Sequence, residues 1–322
     1  VPANAAQNPG HRVRTTVVVV TWRGADHIVA CLDALAAQER PHRILLVDNA
    51  SDDGTARLVA AHPAKPQVLR LPRNTGYAGA IAAALPLVET ELMAWLNDDA
   101  VPDPAWLARL EDALGSAAAA GSRLDRADGS VQSLGVRLTG DGYGADAQEA
   151  PVFGFCGGAA VLRTDVLQAV GGVPADFFCY YEDTDTAWRL RLAGHEIATV
   201  PDARVAHRHG ASTRPGSPDF HRWNERNRLL TLLRCAPAAI AARELARFAA
   251  ITALLPLRAD VPDAPNFRVP LRCRVLVDVL VRMPATVRAR REITRRSRVG
   301  RRQVWRTWAG RTARPEGATV DR

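Results

Sequence analysis

The stretch Leu92-Met93-Ala94-Trp95-Leu96-Asn97-Asp98-Asp99-Ala100-Val101-Pro102-Asp103-Pro104 decides how the rest of the chain is read. Five apolar residues ending abruptly in three polar ones have the length and composition of a buried strand. The polar side chains then lie at its carboxyl end, the edge where open α/β sheets bind ligands. Two adjacent carboxylates repel each other, and a hard divalent cation shared with a substrate phosphate relieves that repulsion. A plain turn is the competing account, with Asp103 capping a helix that opens at Pro104. It explains Asp103 and leaves Asp98 and Asp99 without a task.

Upstream, Thr16-Val17-Val18-Val19-Val20-Thr21-Trp22 is a continuous β-branched run, as expected of a strand covered on both faces in a parallel sheet. A helical period follows at Ile28, Cys31, Leu32 and Leu35, and then a second strand, Ile44-Leu45-Leu46-Val47, ends in Asp48-Asn49. This βαβ alternation predicts a doubly wound α/β sheet. Asp48 closes its strand as Asp99 does, which suits either a nucleobase or ribose contact or an ordinary turn. After a third strand, Val68-Leu69-Arg70-Leu71, the segment Asn74-Thr75-Gly76-Tyr77-Ala78-Gly79 combines glycines with a helix start. It invites close approach by a ligand and offers N–H groups to an anion. It is neither a P-loop nor a dinucleotide fingerprint.

Downstream, short strands are expected within Val131 to Leu138, and Gly140-Asp141-Gly142-Tyr143-Gly144 reads as a mobile loop. Phe153 to Leu162 reads as one strand entered through Gly157-Gly158, where something must approach the backbone. An aromatic run, Phe177-Phe178-Cys179-Tyr180-Tyr181, ends in Glu182-Asp183-Thr184-Asp185 and a helix containing Trp188; acids in a first turn are also what the helix dipole favours. The strand Ile197-Ala198-Thr199-Val200 precedes His207 and His209, a spacing that alone does not specify zinc.

Net charge is +8, unevenly distributed: residues 219–322 carry 23 arginines against 9 carboxylates, whereas residues 1–218 carry 19 basic residues against 25 acids. A basic tail on an acidic body points to a polyanionic surface near the carboxyl end. Five cysteines without close spacing argue against a disulfide framework or zinc site and favour a reducing, cytoplasmic setting. The longest apolar run of the tail, from Phe248 to Leu257, falls short of the roughly twenty residues that span a bilayer. Arginine-rich amphipathic helices near Trp305 and Trp308 instead suggest peripheral contact with an anionic membrane, on the inner face of the cell membrane. A helical appendage packed on the body, or a homodimer contact, would use the same residues.

Taken in order, these pieces resemble the family 2 glycosyltransferases with the GT-A fold, most closely their rhamnosyltransferase-like branch. The resemblance covers roughly Thr16 to Arg234 and rests on Val47-Asp48-Asn49-Ala50-Ser51-Asp52-Asp53-Gly54-Thr55, Asn74-Thr75-Gly76, Leu96-Asn97-Asp98-Asp99, Gly157-Gly158, Tyr181-Glu182-Asp183-Thr184-Asp185 with Trp188, and His207. It implies a nucleotide-diphospho-sugar transferase fold with a mostly parallel central sheet flanked by helices. Residues 1–218 would form the catalytic domain and 219–322 a C-terminal helical extension. It further implies that Thr21, Asp48, Asn74, Gly76, Asn97 and Asp98 hold the nucleotide-sugar donor and that Gly157, Gly158 and Trp188 face the acceptor. Asp99 and His207 would bind Mg2+ or Mn2+, Asp183 would be the catalytic base with Glu182 beside it, and His209 would be a bystander. Asn97 stands where the stricter family pattern has an acid, which implies a single direct carboxylate to the metal.

The implied activity is inverting transfer of a sugar from a nucleoside diphosphate to an acceptor hydroxyl, in cell-envelope polysaccharide or glycolipid assembly on a carbohydrate or lipid-linked acceptor. dTDP-rhamnose is the first expectation for the donor and a UDP-sugar the alternative. Two other classes compete. A sugar nucleotidyltransferase would carry a glycine-rich basic run after the first strand, which Arg23-Gly24 matches poorly. A nucleic-acid-binding protein would use the arginine tail, but the acidic body offers no long electrostatic groove and no nucleic acid is expected.

Overall fold

The structure is a computed structural model that describes residues 13–208 and 216–310. The bystander role expected of His209 lies outside the described residues. In chain order the elements are β1 (Thr15–Thr21), α1 (Ile28–Ala36), β2 (His42–Asp48), α2 (Thr55–Ala61), β3 (Gln67–Arg70), α3 (Gly76–Ala84), β4 (Leu92–Asn97) and β5 (Ala100–Pro102). Next come α4 (Trp106–Leu114), β6 (Ala119–Asp125), β7 (Val131–Ser133), β8 (Gly135–Leu138), β9 (Gly144–Ala147), β10 (Ala159–Arg163), α5 (Thr164–Ala169), α6 (Glu182–Leu192) and β11 (Ile197–His207). Four tail helices follow: α7 (Pro218–Cys235), α8 (Ala238–Leu254), α9 (Val269–Arg296) and α10 (Arg301–Trp308).

The main sheet runs β3-β2-β1-β4-β10-β6-β11-β5, with β7 on β6, and β8 and β9 form a separate hairpin. Pairings β1–β2, β1–β4, β2–β3 and β6–β11 are parallel, while β10 inserts antiparallel between β4 and β6. The valine run of β1 is continuous because both faces are covered. Val17 and Val19 pack with Ile28, Leu32, Leu35, Trp106 and Leu110 from α1 and α4, and Val18 and Val20 pack with Ile81 and Trp95 on the α3 side. Trp188 of α6 and Leu229 of α7 belong to that second layer too, so the tail helices extend the core.

Three local expectations need correction. The strand expected over Phe153 to Leu162 is regular only at Ala159–Arg163; Val136 exchanges backbone hydrogen bonds with Phe153 and Gly154 instead, which ties residues 153–154 to the hairpin. Asp103 makes no side-chain cap, because the helix begins at Trp106 and only the Asp103 carbonyl accepts from it. The glycine-rich loop at 140–144 is packed on α7, where the Tyr143 hydroxyl donates to Glu225 and the Arg228 guanidinium covers its ring.

Candidate active site

A cleft of about 500 Å³ opens across the carboxyl ends of β1 and β4, between the turn after β4 and the start of α6. The register that creates it is specific. β11 runs antiparallel to β5 with His207 opposite Ala100, and the Arg208 amide donates to the Asp99 carbonyl. His207 Nε2 consequently lies 3.2 Å from Asp99 Oδ1 and 3.1 Å from Asn97 Nδ2. The other imidazole nitrogen, Nδ1, is 3.0 Å from Gln132 Oε1. With Nδ1–H donating to that amide oxygen, Nε2 accepts from the Asn97 amide and lies beside the Asp99 carboxylate, where a cation would take over its lone pair.

Among the described residues no three His, Cys, Asp or Glu side chains converge on a metal position. Asp99 and His207 therefore offer a two-donor edge. That suits a hard divalent ion whose remaining ligands are water and phosphate oxygens, and does not suit a closed structural zinc site. Asp98 stands beside this edge, 5% exposed, with the Thr21 hydroxyl donating to its Oδ2 at 2.6 Å. Burial pushes the Asp98 carboxyl up to about 7; the Thr21 bond opposes that rise and the neighbouring Asp99 charge adds to it. Gly24 has no side chain for a steric reason: a Cβ there would lie 2.3 Å from the Thr21 hydroxyl and 2.4 Å from Asp98 Oδ2.

Across the cleft, α6 begins with Glu182 and Asp183. Asp183 Oδ2 accepts from the Gly157 amide at 2.9 Å, while Oδ1 accepts from the amide and hydroxyl of Thr184. Burial raises both carboxyls above their ordinary range, for Glu182 with help from the Asp183 charge and for Asp183 against these hydrogen bonds. Glu182 Oε2 is buried without a hydrogen-bond partner. The paired glycines meet the protein itself. A Cβ on Gly157 would crowd Asp183 at 3.3 Å, and one on Gly158 would press Leu124 at 3.0 Å.

The structure thus brings Asn74, Gly76, Asn97, Asp98, Asp99, Gly157, Gly158, Glu182, Asp183 and His207 to one cleft. Thr21 acts from beneath, through Asp98. Asp48 is 2% exposed with its oxygens taken by the Ser51 amide and Arg70, so it orders the turn after β2 and does not line the cleft. Trp188 is no acceptor contact: it is fully buried, edge-on to Phe153 and stacked on Trp305. Gly76 answers to the chain, since a Cβ there would fall 2.1 Å from the Phe178 carbonyl. Three of the amides at the start of α3 are already taken. Those of Thr75, Gly76 and Ala78 donate to Asn49, Asn74 and Phe178.

Sequence reasoning passed over Asn49, Tyr77, Gln132, Asp146, Phe220 and Trp223, all of which line the cleft. Asn49 joins two turns, donating to Asn74 and the Gly76 carbonyl. Tyr77 donates to the Gly157 carbonyl at 2.6 Å. Phe178 packs on Trp223 with centroids 4.6 Å apart and Tyr180 meets Phe220 at 5.2 Å, giving the Asp183 side an aromatic wall. The run at 177–181 signalled half of that wall; its α7 half carried no motif.

Residues 16–171 match the model of the glycosyl transferase family 2. A relative from Mycobacterium tuberculosis, N-acetylglucosaminyl-diphospho-decaprenol L-rhamnosyltransferase, is 30% identical over 239 residues, spanning 61% of this chain and 76% of that protein. The chain belongs to glycosyl transferase family 2. This family 2 transferase is also 28% identical over 224 residues to the pre-mycofactocin glycosyltransferase of the same species, across 64% of the chain and 45% of that protein. Among solved structures it shares its fold with Staphylococcus aureus TarS 1-349 in complex with UDP-GlcNAc, at TM-score 0.57 and 18% identity over 92% of this chain and 91% of that one. It likewise resembles the Pyrobaculum calidifontis mannosyltransferase PcManGT in complex with GDP-Man and Mn2+, at TM-score 0.51 and 22% identity over 90% and 79%. The architecture is the GT-A fold, and the chain is a glycosyltransferase.

Proposed function

We propose that this transferase moves a sugar, with inversion, from a nucleoside diphosphate donor to the hydroxyl of a lipid-linked acceptor, with rhamnose from dTDP-rhamnose as the favoured donor. The observation that carries the reading is the approach of Asp99 and His207 to 3.2 Å on one side of a cleft whose other side holds the Asp183 carboxylate. The rhamnosyl donor and lipid-diphosphate acceptor follow the activity for which the mycobacterial relative is named.

In this reading Asp99 and His207 are the residues that would hold Mg2+ or Mn2+, which would supply positive charge beside the donor diphosphate. Gln132 holds Nδ1 so that Nε2 faces the ion position, and a bound ion would displace the Asn97 amide from Nε2. Asp183 takes the proton of the acceptor hydroxyl as that oxygen attacks the anomeric carbon from the face opposite the diphosphate. The Gly157 amide and Thr184 aim that carboxylate. Phe178, Tyr180, Phe220 and Trp223 replace Trp188 as the surface on which an acceptor sugar stacks.

The test is release of nucleoside diphosphate from dTDP-rhamnose and from UDP-sugars, with manganese and an acceptor carrying N-acetylglucosamine on a lipid diphosphate. Asp183→Asn is expected to lower turnover by about a hundredfold to ten-thousandfold, the contribution of a positioned base, while donor affinity stays the same. Turnover within about twofold of wild type would remove Asp183 from that role.

A further inference from the structure

No helix among the described residues is long and apolar enough to cross a membrane. The two tryptophans expected to anchor the tail are turned inward, Trp305 onto Trp188 and Trp308 onto Phe153 with Arg191 over its ring. The outward face of α9 has a different composition. Its inner face is set by Val275, Val279, Thr286 and Ile293, all buried. On the opposite face Val277, Leu280 and Val281 are 57, 65 and 72% exposed, and Val287 is exposed as well. Leu280 and Val281 follow Val277 by three and four residues and Val287 follows Leu280 by two turns, seven residues, so they form one stripe.

The same line continues at both ends into exposed arginines, with Arg274 before the apolar centre and Arg288, Arg291 and Arg295 after it. Glu292 stands beside that line, while Asp278 turns away to pair with Arg222 of α7 at 2.8 Å. Arg222 precedes Trp223 of the cleft wall, so the stripe backs the turn of α7 that serves the acceptor side of the cleft.

We infer that this face of α9 is a docking surface for an anionic lipid bilayer. Val277, Leu280 and Val281 would enter the acyl boundary while the arginines pair with headgroup phosphates. Two features of the stripe select lipid. A second copy meeting it across a twofold axis would set arginine against arginine. A nucleic acid would leave the apolar centre without a complement. The inference rests on the proposed lipid-linked acceptor for its purpose, since a docked α9 holds the aromatic wall close to the membrane plane.

Flotation of the full chain with vesicles tests it. Vesicles of phosphatidylcholine alone are compared with an equal mixture of phosphatidylcholine and phosphatidylglycerol, and donor binding is followed separately by thermal shift with a nucleotide sugar. The chain should float with the mixed vesicles, weakly with neutral ones, and less as salt rises. Leu280→Asp combined with Val281→Asp should weaken flotation by about tenfold or more. Arg288→Gln with Arg291→Gln should weaken it by about fivefold per arginine. Both pairs are exposed, so the melting temperature should stay within about 2 °C of wild type. Equal flotation of the Leu280/Val281 variant would overturn the inference. So would failure to bind the mixed vesicles, or a dimer that this variant dissociates. Loss of donor binding would count against the proposed function and leave the flotation result standing.

Discussion

Glu182, buried, and Asp183, half-buried, are adjacent carboxyls at the start of one helix, with dipole and hydrogen bonds favouring their charge and desolvation opposing it. Burial prevails for both, and the sign of that result has two consequences. As a base, Asp183 works only when ionised, so turnover should rise with pH through a point above the ordinary carboxylate range and then level off. A pH profile of turnover at saturating donor measures this; a rate already flat from pH 5 upward would contradict it. For stability the direction is reversed. A group whose folded pKa lies above its unfolded value binds protons more tightly when folded, so its favourable contribution is present in acid and lost as pH rises. Glu182→Gln removes one such charge, and its melting temperature relative to wild type should climb steadily as pH rises. A difference independent of pH would show that Glu182 ionises over the same pH range folded and unfolded, and that burial does not raise it.

The element that places these carboxyls is α7, acting through the loop before α6. Phe178, Tyr180 and Tyr181 all have positive φ, at 66, 71 and 69°, a conformation that costs non-glycine residues about 1 kcal/mol or more each. Asn227 holds them there. Its amide nitrogen lies within 3.0 Å of the carbonyls of Phe177, Cys179 and Tyr180, and the Arg226 guanidinium donates to the Phe177 carbonyl as well. Asn227→Ala should therefore lower kcat by about tenfold or more while leaving the KM for donor within about twofold, and should cost about 1–3 kcal/mol in urea unfolding. Asn227→Asp, which turns a carboxylate toward three carbonyls, should be worse on both counts; normal kcat in either variant would assign Asn227 to stability alone. None of this was legible in the sequence, because Arg226-Asn227-Arg228 reads as a solvated basic patch until the loop carbonyls that bury it are known. By contrast β1, β2 and β4 were legible, since strands covered on both faces must be continuously apolar. The antiparallel β10 was overextended because hydropathy at Phe153 and Phe155 looks the same whether the backbone pairs with the sheet or with the hairpin. Gly76 and Gly157 were correctly read as points of close approach, but a sequence does not say whether a ligand or a neighbouring loop makes it.

At the scale of the whole molecule, the sheet and the tail divide the work. The carboxyl ends of β4 and β11 supply Asp99 and His207, the α6 wall supplies Asp183, and α7 fixes one wall relative to the other. Asp98, Asp99, Asp146, Glu182 and Asp183 all line one cleft, while the arginine excess lies in the tail. A nucleoside diphosphate entering that cleft alone meets carboxylates in surroundings where Coulomb repulsion is poorly screened. With a divalent ion on the Asp99–His207 edge, the same anion meets a compensating charge. Metal and nucleotide should therefore bind with positive coupling, each raising the affinity for the other by the same factor. In thermal unfolding with manganese and dTDP or UDP, the two together should raise the melting temperature by more than the sum of their separate effects. At free nucleotide about a hundredfold above its dissociation constant the stabilisation should approach 2.7 kcal/mol. His207→Ala and added chelator should each abolish the excess over additivity, and Asp183→Asn should preserve it, because the proposed function gives that residue to the acceptor. A nucleotide-induced shift of equal size with chelator present would show that the cleft accepts the diphosphate without a cation, and would leave the Asp99–His207 pair as a hydrogen-bonded brace between β5 and β11.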